Sequence, residues 1–336
     1  MHKRYERQIR CASWGEIGQS KVASTHVAVV GCGALGTVQA ETLARAGVGR
    51  IVLIDRDFVE ESNLHRQFLF SERDALEGMP KAAAAVRRLG EINSTVEYRA
   101  AVADLDSGSV RELLDGADLV LDGTDNFETR YLINDYCVQA GVPWIYGAAV
   151  GTYGITMTIL PGETACLRCV YPEPPAGAQP TCETAGVLGS ITMFIAAIQA
   201  AEALKVLSGN LAMVRRTILS ADIWTGRIRE TNAPGRDPEC PACGRREFEW
   251  LDGTRRAPVS LCGRNAVQIH DRTRPLDLRD LRERLAQLGE VRANDFALRF
   301  FREPYELTVF PDGRAIVKGT TDPAIARSVY SRYIGN

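Results

Sequence analysis

Short apolar runs alternate with stretches of helical periodicity from Val27 to about Ile159. The runs HVAVVG, RIVLID, TVEYRA, ADLVLDG, PWIYGAA and GITMTIL are rich in β-branched and aromatic residues and predict strands. Between them, TVQAETLARAG, KAAAAVRRLGEI, SVRELL and TRYLINDYCVQAG carry Ala, Leu, Glu and Arg at helical spacing. Such alternation predicts an α/β fold whose mostly parallel sheet is covered by helices on both faces. The stretch PWIYGAAVGTYGITMTILPG has no helix between its strands, so an antiparallel extension of the sheet is expected. Residues 171–180 (YPEPPAGAQP) predict a flexible loop, leading to Cys182 and then an apolar helix over residues 189–207. Residues 219–229 predict another strand pair. DGTRRAP at 252–258 reads as a linker between a first domain, 1–252, and a small C-terminal α+β module, 259–336. That module reads as a strand, a helix (LRDLRERLAQLG), two or three strands (FALRFFR, YELTVF, RAIVKG) and a final helix (DPAIARSVYSRYIG), with PDG as a hairpin-turn signal.

Charge and composition narrow the function classes. The net charge of −2 removes any global drive toward nucleic acid or an anionic membrane. The apolar stretch near residues 187–207 is interrupted by Gln199, Glu202 and Lys205, which predicts a buried helix rather than a membrane span. The opening MHKRYERQIR has no apolar core of a secretory signal, so a cytoplasmic, reducing location is expected. Nine cysteines in that setting point to metal or thiol chemistry rather than disulfides.

The densest chemistry lies around a glycine-rich turn. GCGALG (Gly31, Gly33, Gly36) follows one strand and opens a helix, and Asp55 ends the next strand nineteen residues after Gly36. This is a Rossmann-like nucleotide unit: backbone N–H groups approach phosphate at a helix N-terminus, and the acid meets a ribose. Residues that hydride transfer would not need come next. Asn63, Arg66 and Gln67 follow the Asp55 strand, and Lys81 stands at a helix start. Arg66 offers a planar fork for phosphate and Lys81 a point charge. Asp125, in TDNFETR after ADLVLDG, sits at the carboxyl end of the sheet, where a carboxylate beside a polyphosphate suits Mg²⁺. A second reading makes Asp125 or Asn126 the N-cap of the following helix.

Two cysteine pairs stand apart from this set. Cys166 and Cys169 form CLRC, and Cys240 and Cys243 form CPACG, with seventy residues between the pairs. They predict two knuckles closing one tetrahedral Zn²⁺ site, a closed set without an open position for chemistry.

The glycine turn, DRDFVEESNLHRQ, the lysine and TDNFETR, in this order, resemble the adenylating E1-like family. Its bacterial members activate the small sulfur carriers of molybdopterin and thiamine biosynthesis. RYERQ at residues 4–8 also matches, and the resemblance covers roughly residues 1–250. It implies that Asp55 holds the ribose of ATP, that Asn63, Arg66 and Lys81 contact phosphates, and that Asp125 holds Mg²⁺. Gln67 and Asn126 would complete the nucleotide contacts. Arg7 would reach the site of a neighbouring subunit in a homodimer. The expected partner is a ubiquitin-like sulfur carrier protein ending in Gly-Gly, with a sulfur donor protein as a possible second. Cys182 matches the position of a cysteine that, in some members, takes part in sulfur transfer or a covalent bond to the carrier. The C-terminal module shows no rhodanese signature, and its role is open. A tRNA-modifying relative that adenylates a carboxyl group on a modified adenosine is the alternative, which the cysteine pairs and the near-neutral charge disfavour.

Overall fold

The computed structural model describes residues 3–174, 182–255, 266–270, 276–294, 296–311 and 313–335. Residues 175–180 of the expected loop and 256–258 of the expected linker lie outside them. Two compact units emerge, Met1–Arg255 and Arg256–Asn336. The first is built on an eight-stranded sheet in the order β3-β2-β1-β4-β5-β6-β7-β8. Strands β1 (His26–Val30), β2 (Arg50–Ile54), β3 (Glu97–Ala101), β4 (Leu119–Asp122) and β5 (Trp144–Val150) run parallel. Strands β6 (Tyr153–Ile159), β7 (Thr217–Asp222) and β8 (Arg227–Asn232) continue it antiparallel.

The apolar runs of the parallel strands follow from burial on both faces. Ala28 and Val30 join Val52, Ile54 and Val120 in one core cluster, while Val27 and Val29 join Ile51, Leu53, Leu119 and Leu121 in another. The outermost strand, RIRETN, is exposed along its whole length, as its polar sequence requires.

The strand order reverses between β1 and β4, so the crevice at their carboxyl ends is the place where open α/β sheets take ligands. Beside it β4 and β5 pair only at Val120↔Trp144 and Leu121↔Ile145. Gln199 closes the seam. Its Nε2 donates to the carbonyls of Asp122 (3.0 Å) and Ile145 (3.1 Å). The Gln39 amide donates to Gln199 Oε1 (2.7 Å) and to the same Asp122 carbonyl (2.9 Å). Gln199 belongs to the helix Gly189–Leu207, and its neighbour Glu202 is buried against Lys205 and the Arg215 backbone. Among the described residues this is the one helix long and apolar enough to cross a membrane, and half of its apolar window is buried inside the protein.

The second unit is a five-stranded sheet in the order β10-β11-β12-β13-β9. Its strands are β9 (Ala266–His270), β10 (Glu290–Ala293), β11 (Leu298–Arg302), β12 (Tyr305–Val309) and β13 (Arg314–Lys318). Helices Leu278–Ala286 and Pro323–Tyr333 pack their apolar residues against Leu298, Phe300, Leu307 and Val317. Strand β10 departs from the sequence expectation. EVRA is too short and polar to announce itself, and pairing with β11 makes it a strand.

In the first unit Trp250 stacks on Tyr131 at 5.2 Å, and the Trp250 backbone N–H donates to Asp135 Oδ2 at 3.1 Å. Burial pushes the Asp135 carboxyl up to about 7, against the pull of that N–H. The folded state therefore holds the proton more tightly than the unfolded chain. The stabilisation is full below about pH 4 and fades as pH rises through the folded value. Asp135→Asn should remove this dependence. In urea denaturation, the variant should gain on the wild type between about pH 4 and pH 7; a gap that stays constant would refute the raised carboxyl.

Candidate active site

Backbone crowding shapes the glycine turn. Gly31 has φ +88°, and a Cβ there would lie 2.6 Å from the Gly123 carbonyl oxygen. A Cβ on Gly36, the first residue of the helix Gly36–Ala46, would lie 1.8 Å from the Gly31 oxygen. On Gly123 it would lie 3.0 Å from Gly36 Cα. The turn after β1 and the end of β4 thus touch backbone to backbone. The helix start has no side-chain cap, which leaves its N-terminus open to an anion.

The expected acid and lysine converge here. Asp55 Oδ2 accepts from the Cys32 N–H inside the turn at 2.6 Å, and Oδ1 accepts from the Asp57 N–H at 2.7 Å. Burial raises the Asp55 pKa, with Lys81 opposing the shift. Lys81 opens the helix Lys81–Ile92 and is only 6% exposed, unusual burial for a lysine. Its Nζ lies 3.4 Å from Asp57 Oδ2, and its backbone N–H donates to the Asp57 carbonyl at 2.8 Å. Asp57 was not read from the sequence as part of the site, although DRD carried it.

Asn63 ends a single 3₁₀ turn, where Oδ1 accepts from the Glu60 N–H at 3.2 Å. Its carbonyl accepts from the N–H groups of both Arg66 and Gln67 at 3.0 Å. Gln67 is buried, its Oε1 has no partner among the described residues, and its Nε2 faces Gly33. Arg66 is half-buried and donates to the Ser62 carbonyl at 2.8 Å. Its Cβ lies against Gly189, where the helix Gly189–Leu207 begins.

At the end of β4 a buried network fixes TDNFETR. Asp122 Oδ1 accepts from the Thr124 N–H (2.8 Å) and hydroxyl (2.7 Å). Its Oδ2 accepts from Arg130 Nε at 3.0 Å and the Gly147 N–H at 3.3 Å. Arg130 Nη2 donates on to the carbonyls of Thr124 (2.6 Å) and Gly147 (3.1 Å). Neither Asp122 nor Arg130 was singled out in the sequence, where a charged pair flanking a loop resembles any solvated surface. Asn126 is the N-cap of the helix Phe127–Ala140, its Oδ1 accepting from the Thr129 N–H at 2.9 Å. Asp125 stays exposed beside it, two residues after Gly123 of the glycine contact.

Arg7 is not brought to this site within the chain. Tyr5 packs on Gly47, and Gln8 donates to the Ala46 carbonyl at 2.9 Å. Both contacts are at the far end of the helix Gly36–Ala46, about 16 Å from the glycine turn. Arg7 itself is exposed. Cys182 opens the short helix Cys182–Ala185, and its side chain lies outside the described residues.

The two cysteine pairs do meet. Cys166 Sγ lies 3.9 Å from Cys169 Sγ and 3.6 Å from Cys240 Sγ, and Cys169 lies 3.4 Å from Cys243. All four sulfurs fall within 4.8 Å of one another. A tetrahedron with Zn–S bonds of ~2.3 Å has edges of about 3.8 Å, so the set fits that ion.

Residues 5–242 match the ThiF family. The chain belongs to the ThiF family of E1-like adenylating enzymes. It is 42% identical to the sulfur carrier protein ThiS adenylyltransferase of Bacillus subtilis (strain 168), with both chains covered in full. It is 40% identical to the sulfur carrier protein adenylyltransferase of Thermus thermophilus, covering 72% of this chain and 90% of that one. Among solved structures, E. coli MccB with ATP superposes with a TM-score of 0.62 at 26% identity, covering 73% of this chain and 75% of the other.

The glycine contact gives a direct test of the ThiF-family turn. Gly36→Ala should cost about 3 kcal/mol in urea denaturation, because the clash is with backbone that cannot turn aside. A loss under about 1 kcal/mol would mean that the turn yields to a methyl group.

Proposed function

We propose that this chain is an ATP- and Mg²⁺-dependent adenylyltransferase that activates the C-terminal glycine carboxylate of a small ubiquitin-like sulfur carrier ending in Gly-Gly. The observation that carries this reading is the partly buried Asp55 and the buried Lys81 gathered at the glycine turn. An acid for ribose and a cation for phosphate at one helix N-terminus suit a triphosphate that reacts. The full-length relative is named for the same reaction on ThiS.

In the proposed reaction a carrier carboxylate oxygen attacks the α-phosphorus. The bond to the bridging oxygen of the β-phosphate breaks, and pyrophosphate leaves. No proton moves in this exchange, so the site needs no general base, only position and charge. Asp55 keeps lone pairs for ribose hydroxyls after accepting its two backbone N–H groups. Asn63, Gln67, Arg66 and Lys81 serve the phosphates. Asp125 would hold Mg²⁺, which supplies charge neutralisation on the phosphate oxygens. Arg7, anchored away from its own site, suits a role across a homodimer. Cys182 is the candidate thiol for a later step with a sulfur donor. The relatives' names concern protein carriers rather than a modified adenosine, and the net charge of −2 agrees. A cytoplasmic location follows from this role.

Zn²⁺ in the four-cysteine site is proposed as structural, since four thiolates leave no open position. Purified protein should carry one zinc per chain. Cys240→Ser should lower both zinc content and thermal stability; zinc-free protein of unchanged stability would remove the structural role.

ATP–pyrophosphate exchange with Mg²⁺ tests the main reading. Exchange should require one Gly-Gly carrier, and Asp125→Ala should reduce it at least about a hundredfold while the fold persists. Absence of exchange with every carrier, despite ATP binding, would overturn the assignment.

A further inference from the structure

Lys81 is the least expected charge in the site, because a buried ammonium on a flexible stem needs something to hold it in place. Asp57 meets it at several points. The Asp57 carbonyl accepts from the Lys81 N–H at 2.8 Å, which fixes the start of the helix Lys81–Ile92. The Asp57 N–H donates to Asp55 Oδ1 at 2.7 Å, which fixes the other functional side chain. The Asp57 carboxylate then lies 3.4 Å from Lys81 Nζ, with the Arg56 guanidinium 3.8 Å from its other oxygen. Arg56 is drawn away at the same time, donating to Asp104 at 2.7 Å. The surrounding backbone is pinned as well: Phe58 bridges Pro80, and the Val59 N–H donates to the Met79 carbonyl at 2.9 Å.

An anion near a phosphate site is costly unless it serves another group. Asp57 raises the cost of ionising Asp55, and by bare charge alone it would repel a triphosphate. At 3.4 Å its contact with Nζ is longer than a strong charge-assisted hydrogen bond. The contact therefore orients the ammonium without forming the tightest kind of ion pair.

We propose that Asp57 is a positioning residue for the nucleotide site: its carboxylate holds the Lys81 ammonium where the phosphates arrive, while its backbone sets Asp55. This rests on the nucleotide reading above and adds a residue to it. The role belongs to Asp57 through Lys81, so it vanishes when Lys81 is absent.

A double-mutant cycle on ATP affinity, measured by calorimetry without carrier, tests this. Lys81→Met should weaken ATP binding by about tenfold or more, and Asp57→Ala by about fivefold. The double variant should match Lys81→Met within about twofold. Asp57→Asn keeps an acceptor oxygen and should stay within about threefold of the wild type. Equal losses from Asp57→Ala in both backgrounds would show a general structural effect and overturn the proposal. Tighter ATP binding by Asp57→Ala would show that only its repulsive charge matters, which also overturns it. A wild type that binds no ATP would instead sink the nucleotide reading itself, before any variant is compared.

Discussion

Gly31, Gly36 and Gly123 meet backbone to backbone at the switch point of the sheet, and both halves of the proposed nucleotide site depend on that contact. One half belongs to the turn after β1, where the Cys32 N–H holds Asp55 and through it the segment leading to Lys81. The other belongs to the end of β4, where Asp122 holds Thr124 and Arg130 around Asp125. A methyl group at any of the three glycines would push these halves apart. The crowding is thus what lets two distant stretches of sequence face one ligand.

Much of this was legible in the chain. Apolar runs placed β1, β2 and β4, because strands buried on both faces must be apolar throughout, whereas the exposed, polar β8 entered only through the strand pair read over residues 219–229. The glycine turn and Asp55 were legible from their spacing, and Lys81 through the resemblance of the motif order, since a lone lysine at a helix start reads as a surface charge. The cysteine pairs were legible as ligands, although only the fold brings them across seventy residues. Asp122, Gln39 and Gln199 were not legible. Each is a buried polar residue with partners far along the chain, and a lone Gln or Asp in an apolar run carries no mark of its partner. Asn126 admitted two readings from sequence, and the geometry uses its side chain as a helix cap.

Buried polar groups concentrate where the sheet opens. Between β4 and β5 the ladder stops, and unpaired carbonyls there would be expensive. Gln199 and Gln39 meet that cost from one side, and Arg130 with Asp122 from the other. The cation of Arg130 also lies over the Phe127 and Tyr146 rings, at 5.5 Å and 5.3 Å. An ion pair so enclosed is weak evidence for stability, since desolvation offsets much of its attraction. Its consequence here is geometric: it leaves TDNFETR one way to leave the sheet.

The four-cysteine cluster bears on the site through the same helix. Phe127–Ala140 begins at the proposed nucleotide end with Asn126 and Arg130. One turn further on, Asn134 accepts from the Leu167 N–H at 2.8 Å, and Asp135 from Trp250. Leu167 follows Cys166, and Trp250 lies a few residues beyond Cys243. Ligands that tie these segments together therefore brace the helix whose first turn carries Asp125 alongside. On this geometry a structural ion, though closed to chemistry, would still set how firmly the proposed Mg²⁺ carboxylate is held. The influence would travel through about seven residues of helix, from Asn134 back to Phe127, a rise of about 10.5 Å.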